Sequence, residues 1–135
     1  METLNFKQFY KELGKLLYAV AAMDNKIQKE EVDALHKFVS KELALSEVDS
    51  DSSGMNIAFY TDFEFDDYAN QHVSMKDAYT SFIKFIQENR ERIDPLLIDK
   101  SINAVENISS SLRKATPEEK KIIDKIKREI RQAID

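Results

Sequence analysis

The apolar residues of this chain recur at intervals of three and four positions over most of its length, a spacing that is typical of helices with one buried side. The first such stripe is Phe6, Phe9, Tyr10, Leu13, Leu16, Leu17 and Val20. The last is Ile122, Ile123, Ile126, Ile130 and Ile134. Only two glycines and two prolines interrupt the 135 residues, which leaves little material for the tight turns of hairpins and sandwiches. The sequence therefore predicts an all-α protein.

Capping signals divide this pattern into about six to seven helices. The first helix is expected to end near Met23 and the second to begin near Lys29. Each later helix is predicted to begin at a capping residue, whose side chain accepts a hydrogen bond from a free N–H group of the first turn. An acid or a proline follows within the first turn, where the missing N–H of proline costs nothing. These signals are Ser74 with Asp77, Asp94 with Pro95, and Thr116 with Pro117 and Glu119.

Residues 57–66 fit two kinds of structure. Phe63 and Phe65 alternate with acids, as they would in a half-buried strand, whereas Thr61 and Glu64 fit the capping box of a helix. We choose the short helix.

The length of 135 residues suits one domain. The absence of cysteine excludes disulfides, thiolate zinc sites and cysteine nucleophiles. The longest apolar run, Leu16 to Met23, is far shorter than the ~20 residues that span a bilayer, and the N-terminus has no basic segment followed by an apolar one. We therefore expect a cytoplasmic protein without a membrane span.

The net charge of -5 is concentrated in the middle of the chain. Between Glu42 and Asp77 there are nine acidic residues and one basic residue, Lys76. Clustered like charge steers and selects partners, so we expect a basic protein partner, with a homodimer as the alternative. The expected partner-binding residues are Asp62, Glu64, Asp66 and Asp67. A merely solvated helix face, with Phe65 and Tyr68 pointing inward, is the other interpretation.

The basic residues near the C-terminus do not form a nucleic-acid patch. Acids interrupt them throughout, as on a solvated helix face with ion pairs between successive turns. We therefore expect no nucleic-acid partner.

Residues suited to catalysis are few. His36 and His72 are the only imidazoles, and Asp33 with His36 makes only half of a di-iron carboxylate motif. No serine lies in a glycine-flanked elbow, and no glycine-rich phosphate loop is present. We expect that the protein is not an enzyme, that His36 is an ordinary residue on a partly exposed helix face, and that His72 marks the end of a helix.

Neither acidic loop fits a calcium-binding EF-hand. A loop begun at Asp24 has Leu35 where the twelfth position needs glutamate, and a loop begun at Asp49 has Tyr60 there. A solvated serine-rich loop is the simpler interpretation of the second segment, with weak cation binding as the alternative.

Two segments of the chain resemble each other. The sequences AVAAMDNKIQKEEVDAL and AVENISSSLRKATPEEKKII share an Ala-Val helix, a connector and a helix with a glutamate pair. Glu30 and Glu31 then correspond to Glu118 and Glu119. The similarity predicts two helical-hairpin repeats around an approximate twofold axis, with chance as the other explanation.

The first connector, Ala-Ala-Met-Asp-Asn-Lys-Ile-Gln-Lys-Glu-Glu-Val at residues 21–32, resembles the signature of the TerB-like family of tellurite-resistance and DjlA N-terminal-like domains. Asn25 stands where the family has glycine. The resemblance implies an all-helical bacterial domain of two related repeats, with acidic residues at the connector that bind a divalent metal. The acidic residues of this sequence that match the family's positions are Asp24 and Glu31, with Glu119 as a counterpart in the second repeat.

Together these features predict one all-α TerB-like domain over residues 1–135, with an acidic loop and short helix at 46–73 between two pseudo-symmetric repeats. The expected function is a non-enzymatic interaction or stress-linked module. The alternative is a divalent-cation-binding or sensing domain that uses Asp24, Glu31 and Glu119 or an acid of the middle segment. No cofactor other than such a cation is expected.

Overall fold

The computed structural model describes residues 4–23, 27, 29–47, 50–110 and 116–135. Within these ranges it has six helices and no strand, which confirms the all-α prediction. The helices are α1 (Phe6–Ala21), α2 (Lys29–Phe38), α3 (Tyr60–Gln71), α4 (Met75–Glu88), α5 (Pro95–Ser110) and α6 (Pro117–Gln132). Helix α2 continues through a π-helical turn, Val39–Leu43, and one α-helical turn, Ala44–Ser46, while a 3-10 turn, Ile57–Phe59, leads into α3. Among the described residues, none of the helices has an apolar stretch of the length that a membrane span needs.

Helix α1 is the centre of the fold. It packs against α3, α4 and α5, while α6 packs against α4 and α5, and α2 packs against α5. The predicted stripe of α1 is buried except at Phe6, which is 39% exposed. Burial also extends beyond the stripe to Gly14, Tyr18 and Ala19. A single buried stripe was therefore too narrow a prediction, because neighbouring helices cover α1 on more than one side.

The contact between α1 and α3 depends on Gly14. A Cβ atom at this position would lie 2.4 Å from the carbonyl oxygen of Thr61 and 3.1 Å from the Cβ of Glu64. No side chain fits in that space, so the two helix backbones are in direct contact. The Thr61 hydroxyl donates a hydrogen bond of 2.8 Å to the carbonyl oxygen of Tyr10, one turn earlier on α1.

Thr61 does not cap α3, although a helix at this place is confirmed. The helix begins at Tyr60, so Thr61 lies inside its first turn, where its fully buried hydroxyl needs a partner and finds it on α1. The predicted capping box of Thr61 with Glu64 is wrong. Asn56 begins the segment instead, since its Oδ1 accepts a hydrogen bond of 2.9 Å from the N–H of Ala58 in the preceding 3-10 turn.

The three later helix starts that the sequence predicts are confirmed by direct side-chain to backbone bonds. They are Ser74 Oγ accepting from Asp77 N at 3.1 Å, Asp94 Oδ1 accepting from Leu96 N at 2.9 Å, and the reciprocal pair of Thr116 and Glu119 at 3.2 and 3.0 Å. The expectation that His72 ends a helix is also confirmed. This residue closes α3 in the left-handed conformation, with φ of 53°.

In α6 the isoleucine stripe is buried at Ile123, Ile126 and Ile130, but Ile122 is 37% exposed. Successive residues of a helix point about 100° apart, and one side of α6 faces α4 and α5, so Ile122 lies at the border of the buried side. The predicted pseudo-twofold repeat stays a prediction. Residues of both connectors, 24–26 with 28 and 111–115, lie outside the described part of the chain.

We expect Gly14→Ala to lower the free energy of unfolding by about 1–3 kcal/mol, because the added methyl group collides with backbone atoms that cannot move alone. Helix propensity acts in the opposite direction, since alanine in a helix interior is favoured over glycine by about 1 kcal/mol. Urea unfolding of both proteins measures the difference. A variant as stable as the parent, or more stable, would contradict the close contact between α1 and α3.

Candidate partner-binding face

The outer side of α3 carries an aromatic ring among carboxylates. We name the surface formed by Asp62, Phe63, Asp66 and Asp67 the acidic face. Phe63 is 49% exposed, and Asp66 and Asp67 are also exposed. At about 100° per residue, Phe63 lies between Asp66 and Asp67 around the helix axis. The ring is therefore flanked by negative charge on both sides.

Burial on the opposite side of α3 orients the acidic face. Thr61 and Phe65 are fully buried, which confirms that Phe65 points inward. Tyr68 is half-buried and packs edge-on against Tyr18 of α1 at 5.9 Å between ring centroids. Glu64, the fourth acid expected to bind a partner, is half-buried and lies at the edge next to Gly14. The structure thus brings three of the four acids to one surface and places Glu64 against α1.

Asp62 connects the acidic face to α2. Its Oδ1 lies 2.5 Å from Nδ1 of His36, and the Asp62 side chain is 16% exposed while that of His36 is 44% exposed. Burial raises the pKa of the Asp62 carboxyl above its ordinary value; His36 opposes this shift and the nearby charge of Asp66 adds to it. The partial exposure of His36 was expected, but its bond to a residue 26 positions away was not.

A buried polar cluster between α1 and α4 was missed entirely. Glu12 is only 5% exposed, and its Oε2 accepts hydrogen bonds from Lys15 Nζ at 2.7 Å and from Gln8 Nε2 at 3.0 Å. Its Oε1 accepts from the Ser81 hydroxyl on α4 at 2.8 Å. Burial opposes the charge on Lys15, but the hydrogen bond and charge of Glu12 outweigh it and raise the lysine pKa. The cluster connects the two helices.

The sequence contains a weak signal for this cluster. Glu12 follows Phe9 and Tyr10 and precedes Leu13, so it stands where helix α1 is most densely apolar. A charged residue in such a place is buried with a partner more often than alone. Ser81, however, lies 69 positions away, and nothing local to α1 identifies it.

A second buried contact joins α1 to α5. The hydroxyl of Tyr10, a fully buried residue, donates to Glu47 Oε2 at 2.7 Å and accepts from Lys100 Nζ at 3.1 Å. The Lys100 ammonium also lies 5.6 Å from the centroid of the Tyr10 ring. This contact was not predicted either, since the three residues are far apart in the chain.

The residues expected to bind a metal are not shown to converge. Asp24 lies outside the described residues, Glu31 is fully buried on α2, and Glu119 is half-buried and holds the Thr116 N–H in the α6 cap at 3.0 Å. No group of three His, Asp or Glu side chains suited to a metal occurs among the residues that the structure describes. The divalent-cation hypothesis stays a prediction.

In the serine-rich loop, the Asp51 side chain accepts hydrogen bonds from nearby residues. Asp51 Oδ1 accepts from the N–H and hydroxyl of Ser53 and from the N–H of Met55, while Oδ2 accepts from the Tyr60 hydroxyl at 2.7 Å. These bonds, led by those from the side chains of Ser53 and Tyr60, hold the pKa of Asp51 well below its ordinary value. Donors from the loop and from the first residue of α3 thus occupy the Asp51 carboxylate, while Asp49 lies outside the described residues.

Comparisons with known proteins gave no match to a protein-family model, to a curated protein or to a solved structure. The TerB-like resemblance therefore stays a prediction from residues 21–32 of the sequence. The function has to be inferred from the surfaces of this chain.

We expect Lys15→Met to destabilise the protein by about 3 kcal/mol, because it leaves the Glu12 carboxylate buried without its cation. Changing Glu12→Leu as well should restore part of that loss, since an apolar pair needs no compensating charge. Urea unfolding of the single and double variants measures both effects.

The exposed pair of Arg131 with Asp99 at 3.3 Å is the control. Arg131→Met should change the free energy of unfolding by less than about 1 kcal/mol, as is usual for surface pairs. A double variant at Glu12 and Lys15 that is no more stable than Lys15→Met alone would show that the buried charge is not the cause.

Proposed function

We propose that this protein is a non-enzymatic interaction module of the TerB-like type that binds a basic protein partner through the acidic face of α3. The observation that carries this proposal is the half-exposed ring of Phe63 between Asp66 and Asp67. Aromatic side chains, phenylalanine included, are enriched at protein interfaces relative to the rest of the surface, so an exposed ring among carboxylates suits an interface anchor.

The Phe63 ring is held in position before any partner binds. It packs edge-on against Tyr60 at 5.8 Å between centroids, with the ring planes at 90°. Tyr60 is itself fixed by its hydrogen bond to Asp51 and by the ammonium of Lys7, which lies 4.6 Å above its ring. A pre-positioned anchor loses less conformational freedom on binding, and this favours affinity.

The carboxylates add selectivity for charge. Asp66 and Asp67 are exposed, so a basic partner can approach them without a large desolvation penalty, while their field repels an acidic surface. The contact of Asp62 with His36 adds support from α2 to the same face. A rigid helix with one aromatic anchor and flanking acids suits a short segment that combines lysine or arginine with an aromatic or aliphatic residue.

The proposal is tested with a peptide of arginines around a central tryptophan, titrated into the ¹⁵N-labelled full chain. We expect the amide shifts to concentrate at residues 62–67 and the affinity to fall as salt is added. Phe63→Ser should weaken binding about tenfold, which corresponds to 1.4 kcal/mol and lies in the range of an interface anchor. Asp66→Asn combined with Asp67→Asn should weaken it as well.

Phe6→Ser is the matched control, because Phe6 is a similarly exposed aromatic residue on α1. This variant should bind the peptide like the parent. Equal losses at Phe6 and Phe63, or shifts distributed over acids throughout the chain, would mean that the peptide meets a diffuse negative field and that the acidic face is not a binding site.

A further inference from the structure

A groove lies between α2 and α5, on a part of the molecule that the proposed function does not use. Its volume is about 740 Å³. One wall is the C-terminal part of α2 with its continuation, and the other is the outer side of α5 from Leu96 to Ser110. That side of α5 is about 21 Å long at 1.5 Å per residue, which is the length of a helix of about 14 residues.

The floor of the groove is apolar and one rim residue is an exposed leucine. Phe38 and Leu43 belong to the buried core and also line the groove. Leu96, in the first turn of α5, lines it with 71% of its surface exposed. Because Phe38 is 6% and Leu43 1% exposed, Leu96 supplies most of the apolar surface that the groove offers to a partner.

The π-helical turn Val39–Leu43 forms part of the α2 wall. The N–H of Ala44 donates to the carbonyl of Val39, five residues earlier, instead of four. Glu42 on this turn is exposed while Leu43 beside it is 1% exposed. The two neighbours thus supply one carboxylate to the rim and one apolar side chain to the floor, and π-helical turns inside α-helices are frequent at functional sites.

Carboxylates stand on both walls. Glu42 lies on the α2 side, and Asp99 and Glu106 lie on the α5 side. Asp99 pairs with Arg131 at 3.3 Å and Glu106 with Lys127 at 3.4 Å, but both carboxylate side chains are more than half exposed. Such surface pairs are weak and can exchange one cation for another.

The lysine that lines the groove turns its ammonium toward α1. Lys100 directs its ammonium at the buried hydroxyl of Tyr10, 3.1 Å away, and over the ring of the same residue. Lys100 is half-buried in this position. The groove therefore combines an apolar floor with acidic walls on either side.

We propose that this groove receives an amphipathic helix of a partner protein, with an apolar stripe flanked on both sides by lysine or arginine. The apolar stripe packs chiefly on Leu96, with Phe38 and Leu43 beneath it, and the basic residues meet Glu42 on one wall and Asp99 and Glu106 on the other. This is a helix-in-groove mode of recognition, in which apolar anchors give affinity and flanking charges select the partner. The site is separate from the acidic face of α3.

The test uses the full chain and a fluorescein-labelled synthetic peptide of about 14 residues, with leucines at helical spacing and lysines elsewhere. Fluorescence anisotropy measures its affinity. We expect Leu96→Ser to weaken binding about tenfold. Because Leu96 is exposed, the variant should keep the unfolding midpoint of the parent, which is measured on the same samples.

Leu45→Ser is the matched control, since Leu45 is 79% exposed and does not line the groove. It should change the affinity less than twofold. In the same way Glu42→Gln should weaken binding, whereas Glu88→Gln, which removes one exposed acid from α4, should have little effect. A peptide with glutamate in place of lysine should not bind.

Each other outcome overturns the proposal. If Leu96→Ser binds like the parent, or if Leu45→Ser loses as much, the peptide does not occupy this groove. If the glutamate peptide binds as tightly as the lysine peptide, the groove takes apolar groups without selecting a basic partner. All affinities are measured in the Phe63→Ser background, in which binding at the acidic face is weakened, so the test separates the groove from that face.

Discussion

The direct contact of α1 and α3 at Gly14 is the constraint on which the rest of the structure depends. A methyl group there would meet the Thr61 carbonyl at 2.4 Å, so only glycine allows this separation of the helices. The closeness in turn lets the Thr61 hydroxyl reach the Tyr10 carbonyl. With Thr61 and Phe65 buried toward α1, the remaining side of α3 is left to solvent, and Phe63 with its flanking acids lies on that side.

Polar contacts from α1 give this packing a defined register. Glu12 reaches Ser81 on α4, Tyr10 reaches Lys100 on α5, and the Tyr10 carbonyl receives Thr61 from α3. Apolar packing alone tolerates sliding between helices, whereas a buried hydrogen bond is lost when its partners move apart. Each helix that surrounds α1 is thus held by at least one directional bond as well as by apolar contact.

The helices and most of their caps could be predicted from the sequence because they depend on residues within four positions of each other. Ser74, Asp94 and Thr116 behave as their local motifs indicate. Thr61 does not, because a partner on another helix competes for its hydroxyl. The sequence also does not predict the bond between His36 and Asp62 or the groove at Leu96. They arise from the packing of distant helices, which periodicity does not specify.

Both proposed surfaces depend on helices that stay in place. Among them, α3 is the helix whose backbone is in direct contact with α1. Native-state hydrogen exchange tests this contact directly. If Gly14 and Thr61 hold α3 on α1, the amides of residues 61–68 and those of the buried part of α1 should exchange through one opening, with the free energy of global unfolding. Exchange of α3 through a separate, much less costly opening while α1 stays protected would contradict the account.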